Sequence, residues 1–131
     1  MKRSPLKKKK LKSISSLKKT LDSLFSLHIR NKYADWKGYC TCYTCGKVAP
    51  VKEMQCGHYV SRSCLSTRWD ENNCRVQCPG CNVFKHGNYP AYTEHLLNEI
   101  GEEALKAIIR KGRSIQHFGR FELENEIAKY K

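Results

Sequence analysis

The residues with the most distinctive chemistry are two pairs of cysteines, each with two residues between its members. Cys42 and Cys45 form the first pair, and Cys78 and Cys81 form the second. Thiolates three positions apart in a tight turn supply two corners of a tetrahedron, so two such turns complete the coordination of one zinc ion. Four protein ligands leave no position for water or substrate, and we therefore expect a structural Zn²⁺. The alternative is that these cysteines are buried free thiols, which pack like small apolar side chains.

The spacing of the other four cysteines fits no standard zinc pattern, and we predict that most are buried or free. They are Cys40, Cys56, Cys64 and Cys74. Cys40 is close enough to Cys42 to compete with it as a ligand. Cys56 and His58 could instead belong to a second structural metal site.

Histidine and asparagine residues surround the cysteine pairs in an order that suits phosphodiester hydrolysis. Imidazole titrates near neutral pH and can activate water, and a hard cation can neutralise charge on the phosphate. A strand-borne His58, Asn73 five residues before a Cys-x-x-Cys, and Asn82 directly after it resemble the HNH motif. In that family the His and Asn residues lie on two strands and a helix around one divalent ion.

A longer stretch is similar to the NinG/Rap recombination endonucleases of lambdoid phages, over roughly residues 42–100. The similarity lies in Gln55-Cys56-Gly57-His58, Arg68-Trp69-Asp70-Glu71-Asn72-Asn73-Cys74, Gln77-Cys78-Pro79-Gly80-Cys81-Asn82 and Gly87-Asn88. The resemblance implies a metal-dependent DNA endonuclease that cuts branched recombination intermediates such as Holliday junctions and D-loops. The N-terminal arm and the last helices carry no part of it.

The resemblance also implies the function of individual residues. His58 would act as the general base, and Asn73 would orient its ring by a hydrogen bond. Asn82 would bind the catalytic Mg²⁺ or Mn²⁺, and His86, four residues on, would reach the same ion from one helical face. Many HNH enzymes carry an acidic ligand just before the catalytic His, where this chain has Gly57. Asp70 is a further candidate to supply that charge.

The chain carries a net charge of +13, which predicts a polyanionic partner, with DNA as the first candidate. The densest basic run is Lys7, Lys8, Lys9 and Lys10. We expect a flexible arm that can hold phosphates by releasing counterions, and a nuclear-localisation signal is a weaker alternative. Arg62, Arg68 and Lys85 are further candidates for DNA contacts.

We predict an α+β fold, in which a small zinc-stapled ββα-metal (HNH) core is flanked by N- and C-terminal helices. Residues 1–12 form the arm, 13–30 an amphipathic helix, and 31–131 the zinc-bound nuclease domain with its C-terminal helices. Within that domain, strands are expected near 53–60 and 75–77, a loop at 61–73, and helices from about 81, 92, 102 and 118. A resolvase must cut two strands, so we expect a homodimer, formed through Leu17, Leu21 and Leu24 unless that face packs on the core.

We find no apolar stretch that predicts a signal peptide or a membrane span, so we expect a reducing cytoplasm, that of a bacterial host cell, and no membrane partner. Two alternatives to the branched-DNA nuclease stay open. One is an HNH nuclease that acts on linear duplex. The other is a non-catalytic zinc-ribbon DNA-binding module, which explains the charge and the cysteine pairs but leaves His58, Asn73, Asn82 and His86 without a function.

Overall fold

The computed structural model describes residues 10–131, so Lys7, Lys8 and Lys9 of the predicted arm lie outside the described residues. The first element is helix α1 (Ile14–Lys32). Ser13 caps it, because its Oγ accepts a hydrogen bond of 3.1 Å from the Ser16 backbone N–H. The predicted amphipathic helix is therefore confirmed.

The apolar face of α1 packs inside the chain against helix α5 (Arg120–Tyr130) and the strands described below. Leu17 and Leu21 are 6% and 0% exposed, and Leu24 packs at the edge of the same core. The prediction that this face forms a dimer contact is wrong, since α5 of the same chain already covers it. The alternative, packing onto the core, is correct.

The first sheet is a hairpin that presents the first cysteine pair. Strand β1 (Tyr39–Thr41) pairs antiparallel with β2 (Val48–Pro50). The Cys42 backbone N–H donates to the Lys47 carbonyl at 2.7 Å, which closes the turn. Gly46 has a φ of +82°, a conformation that glycine adopts without strain. Cys42 and Cys45 therefore lie in the turn of this hairpin, in agreement with the tight turn expected for the first cysteine pair.

The second sheet pairs β3 (Gln55–His58) with β4 (Cys74–Gln77), antiparallel, with His58 opposite Cys74. The segment between the strands was expected to be a loop. It instead contains a short helix, α2 (Leu65–Arg68), and a 3₁₀ turn, Glu71–Asn73.

The helix predicted to begin near Cys81 is a single π-helical turn, Gly80–Phe84. The backbone N–H groups of Cys81 and Asn82 both donate to the Cys78 carbonyl, and the Lys85 N–H reaches back five residues to Gly80. This widened turn ends in left-handed conformations at His86 and Asn88, with φ of 50° and 48°.

Two helices follow, α3 (Tyr89–Ile100) and α4 (Glu102–Gly112), and their buried residues form a smaller core beside the main one. The α+β class is confirmed. Within residues 10–131, no helix combines the length and apolar character that crossing a membrane requires.

Candidate functional site

The two cysteine pairs meet in one cluster. The sulfur atoms of Cys42, Cys45, Cys78 and Cys81 all lie within 4.8 Å of one another, as predicted. Cys40 is not a ligand, because its thiol donates to the Arg30 carbonyl at 3.3 Å. Four convergent sulfurs are compatible with structural zinc binding, which would tie the first hairpin to the turn after β4.

A chain of hydrogen bonds supports the cluster. Gln77 Nε2 donates to Thr44 Oγ1 at 3.1 Å, and Thr44 Oγ1 lies 3.4 Å from Cys42 Sγ, to which its hydroxyl can donate when the thiol is ionised. Burial would raise the pKa of the Cys42 thiol, but this bond and the backbone N–H groups around it lower the pKa to about 6. Cys42 is thereby prepared as a thiolate ligand.

The pKa of Cys45 is shifted in the opposite direction from that of Cys42. A backbone hydrogen bond from Lys47 favours its thiolate, yet burial and the three neighbouring sulfur atoms raise its pKa to about 12. Crowded thiols cannot all ionise unless a cation compensates their charge. A divalent ion that takes four thiolates resolves this conflict, which is a chemical reason for the cluster to bind zinc.

A separate cavity of about 380 Å³ brings together several of the predicted catalytic residues. His58 contributes from the end of β3, and Asn82 and His86 contribute from the π-helical turn and the residues after it. The other lining residues come from α1, β3, the segments that follow β3 and the π-helical turn, and the start of α3: Asp22, Phe25, Ser26, Gln55, Cys56, Ser61, Arg62, Gly87 and Tyr89. We call this the His58 cavity.

The backbone of α2 orients the His58 ring. Its Nε2 lies 2.7 Å from the Arg68 carbonyl oxygen, which can only accept, so Nε2 carries the hydrogen and Nδ1 the lone pair. Burial lowers the pKa of His58 below the usual imidazole value, and the bond to the carbonyl opposes this only in part. Burial therefore favours the neutral form of the ring, in which Nδ1 can accept a proton.

Asn73 does not hydrogen-bond to His58, contrary to the prediction. Its Oδ1 accepts from the Val60 N–H at 2.7 Å, and its Nδ2 donates to the carbonyls of Val60 and Thr67 at 3.0 and 3.1 Å. Asn73 thus joins the chain just after β3 to α2. Its effect on His58 is indirect, because α2 ends at the Arg68 carbonyl that holds the ring.

Asn82 is held in place by a side chain of β3 that also lines the cavity. Its Nδ2 donates to Gln55 Oε1 at 2.7 Å, which leaves Asn82 Oδ1 as the atom that can bind a cation.

His86 lines the same cavity, but it does not share one α-helical face with Asn82. The π-helical turn and the left-handed backbone of His86 lie between the two residues. The two predicted ligands are brought together by a turn rather than by one helical face.

The position before His58 has no room for an acidic ligand. Gly57 is buried against Gln77, and a Cβ atom there would collide with the Gln77 amide. Gln77 is fully buried and cannot easily move, because it donates to Thr44 and to the Gly87 carbonyl. Close packing between the strands therefore accounts for the glycine.

The carboxylate that lines the cavity is Asp22, which sequence reasoning missed. It binds the Arg68 guanidinium in a two-pronged ion pair and accepts from Trp69 Nε1 at 3.0 Å. One signal was available, since Asp22 is the only acidic residue before Asp35. Asp70 lies elsewhere: it accepts from the Asn72 N–H and pairs with Lys111 at 2.6 Å, so the proposal that it binds the catalytic ion is wrong.

Of the predicted DNA-contacting residues that the structure describes, one is paired within the chain and the others are exposed. Arg68 is committed to Asp22 with 17% of its side chain exposed, so it is not a free phosphate ligand. Arg62 is exposed and lines the His58 cavity, and Lys85 is exposed on the turn after Asn82. Lys10 is exposed at the start of the described chain.

A family model described as "Bacteriophage Lambda NinG protein" matches residues 2–131. The chain belongs to the NinG family. The match reaches into the N-terminal arm and the last helices, beyond the span of residues 42–100 that carried the resemblance. No solved structure gives a significant match.

Individual NinG relatives align over a shorter segment. Protein ninG of Escherichia phage 933W is 37% identical over 68 residues, which make up 51% of this chain and 33% of that protein. The same lengths and shares hold for protein ninG of Escherichia phage lambda and of Salmonella phage P22, each 34% identical. The aligned segment is about a third of these relatives' length.

This NinG-family chain has a second group of potential metal ligands. The ligand atoms of Cys56, His58 and Cys74 all lie within 4.8 Å of one another. Burial raises the pKa of the Cys74 thiol well above its usual range, and the neighbouring Cys56 adds to the shift. Cys64, which is half-buried, belongs to neither group.

Proposed function

We propose that this chain is a metal-dependent DNA endonuclease of the HNH (ββα-metal) type, with His58 as the general base. The observation that carries the proposal is the state of the His58 ring. Nε2 is held by the Arg68 carbonyl, Nδ1 keeps its lone pair, and the ring lines an open cavity. A neutral imidazole that is fixed in this way can take a proton from an attacking water.

Asn82 and His86 are the side chains that would hold the catalytic ion. The Asn82 amide oxygen is a hard donor, and His86 supplies one imidazole. Mg²⁺ and Mn²⁺ need only a few protein ligands, because water and substrate phosphate complete their coordination. When bound, the ion supplies positive charge to the transferring phosphate and the leaving oxygen.

Two features support DNA as the substrate. The net charge is +13, and exposed Arg62 and Lys85 lie at or beside the cavity, where they can hold phosphate oxygens. Branched DNA as the preferred form rests on the likeness to the NinG/Rap endonucleases. Cleavage of both strands of a junction would require two copies of the chain, joined through a surface other than the covered face of α1.

The decisive experiment compares cleavage of a labelled four-way junction with that of a matched linear duplex. The enzyme is loaded with one equivalent of zinc per chain, enough for the four-cysteine cluster alone. Mg²⁺ or Mn²⁺ is then added or omitted, because a chelator would also compete for the structural zinc. We compare wild type with His58→Ala and, as a matched control, with His117→Ala, whose ring is exposed in the segment before α5.

The proposal expects ion-dependent cleavage of the junction that is lost in His58→Ala and kept in His117→Ala. Equal cleavage of both substrates would retain the nuclease and discard the preference for branched DNA. Tight binding without cleavage by wild type would instead favour the zinc-ribbon DNA-binding module.

A further inference from the structure

The β3–β4 hairpin gathers two thiols and an imidazole on one side, apart from the four-cysteine cluster. The register places His58 opposite Cys74, and Cys56 precedes His58 by two residues, which in a strand is the same face. Their ligand atoms lie within 4.8 Å of one another. In a tetrahedral zinc site such atoms are about 3.5–3.8 Å apart, as bond lengths of roughly 2.0–2.3 Å require. Small side-chain movements therefore suffice to bind an ion.

We propose that Cys56, His58 and Cys74 form a second metal site, for Zn²⁺ or another thiophilic divalent ion. An ion bound at this site prevents His58 from acting as the general base. Two sulfurs and one imidazole select soft and borderline ions and discriminate against Mg²⁺, which prefers oxygen. The site thus differs in chemistry from the oxygen-rich side of the cavity at Asn82.

The hydrogen bond from His58 Nε2 to the Arg68 carbonyl serves this site as well. Metal-binding histidines commonly donate their second ring nitrogen to a backbone carbonyl, which fixes the tautomer and the ring orientation. Nδ1 is then the ligand atom, and it is also the atom that would accept a proton from water. One lone pair cannot do both, so metal binding and general-base catalysis exclude each other.

The surroundings of the three residues permit an ion to enter. Cys56 and His58 line the His58 cavity, whereas Cys74 is fully buried beneath them. An ion can therefore arrive from the cavity and reach Cys74 last. Three protein ligands leave a fourth coordination position open, unlike the closed four-cysteine cluster.

The site is tested by counting the zinc ions bound to the full chain. Wild type, Cys56→Ser and Cys64→Ser are titrated with zinc, freed of excess metal, and assayed for protein-bound zinc. We expect two ions per chain for wild type and Cys64→Ser, and one for Cys56→Ser. The ion that Cys56→Ser retains shows that this variant keeps its four-cysteine cluster. Saturation of wild type at one ion, or two ions in Cys56→Ser, would overturn the site.

The effect on catalysis rests on the proposed nuclease function and is measured separately. At fixed Mg²⁺, filling the second site should reduce junction cleavage by wild type at least tenfold. Whatever rate Cys56→Ser shows should not respond to the same zinc. Faster cleavage on zinc binding would overturn the inhibition. Absence of cleavage under all conditions would overturn it together with the nuclease proposal, while the zinc count decides the site independently.

Discussion

The His58 Nε2 atom lies 2.7 Å from the Arg68 carbonyl oxygen, and this contact decides which ring nitrogen is basic. The carbonyl accepts the Nε2 hydrogen, so Nδ1 keeps its lone pair. Arg68 also pairs its guanidinium with Asp22 of α1. One arginine thus connects α1, α2 and the end of β3, and it contributes to the candidate site through its backbone rather than by contacting phosphate.

The first prediction concerns the pH dependence of cleavage. In the proposed mechanism His58 acts as a base only when neutral, so the rate should rise with pH through the His58 pKa. Because burial lowers that pKa, the midpoint of the rise should lie below the usual imidazole value of about 6.5. The pKa of His58 also depends on the nearby charges of Asp22, Arg62 and Arg68. The thiols of Cys56 and Cys74 lie close to the same ring.

The measurement is a single-turnover rate profile at saturating Mg²⁺. The acid limb should disappear in His58→Ala, whose rate should be about 10²–10⁴-fold lower. A wild-type rate that keeps rising tenfold per pH unit above neutrality would identify another base.

The second prediction separates metal binding from proton transfer. Asn82→Ala removes the proposed ligand oxygen, so the Mg²⁺ concentration for half-maximal cleavage should increase roughly tenfold or more, as for other weakened metal sites. His58→Ala should lower the maximal rate without moving that concentration. Lys85→Ala is the control on the same turn. A normal Mg²⁺ requirement in Asn82→Ala would remove Asn82 from the ligand set.

The cysteine pairs and α1 could be predicted from the sequence because local spacing determines them. Two Cys-x-x-Cys turns suit one tetrahedral ion whatever lies between them, and an apolar stripe at helical spacing requires a partner surface. The order of His58 and Asn82 along the chain also predicted their common cavity.

Other parts of the site depend on contacts between distant segments, which no local pattern reports. Asp22 reaches the cavity from α1, 36 positions before His58 in the sequence. The π-helical turn contains a hydrogen bond from the Lys85 N–H to the Gly80 carbonyl, five residues earlier, and the prediction that Asn82 and His86 share one α-helical face was therefore wrong. The prediction that Asn73 hydrogen-bonds to His58 was wrong, because the residue type shows that an amide can form hydrogen bonds but does not identify its partners.

The third prediction follows from the three hydrogen bonds of Asn73. Asn73→Ala would leave backbone groups of Val60 and Thr67 without partners in a region where Asn73 is fully buried. We expect a loss of about 2–4 kcal/mol in the free energy of unfolding, from two or three unsatisfied groups. Asn72→Ala, at an exposed neighbouring position, is the control and should change stability little.

Chemical denaturation measures this difference. Under conditions in which Asn73→Ala is fully folded, its cleavage should keep the acid limb of wild type, because Asn73 does not contact the ring. An altered His58 pKa in a stable Asn73→Ala protein would instead show that Asn73 helps to set the state of the ring through α2.

The fourth prediction concerns the four-cysteine cluster. Cys78→Ser removes one zinc ligand from the connection between the first hairpin and the turn after β4, and metal binding contributes directly to folding in small domains. The thermal midpoint should fall by more than about 10 °C, since about 1 kcal/mol shifts it by several degrees. Cys64→Ser should leave the midpoint nearly unchanged. An equal midpoint for wild type with and without zinc would show that the cluster is not a structural metal site.

The last prediction concerns Gly57, where the Gln77 side chain leaves no room for an acidic residue. Its Cα faces the Gln77 amide rather than the cavity, so Gly57→Asp should cost stability and should not lower the Mg²⁺ requirement. Gly57→Ala isolates the steric part, and overpacking of a buried site typically costs about 1–3 kcal/mol. In a Gln77→Ala background the obstructing atoms are gone, so Gly57→Ala should cost less there, by an interaction energy that the double-mutant cycle measures. Additive costs would mean that contact with Gln77 is not what excludes a side chain, and the glycine would then need another explanation.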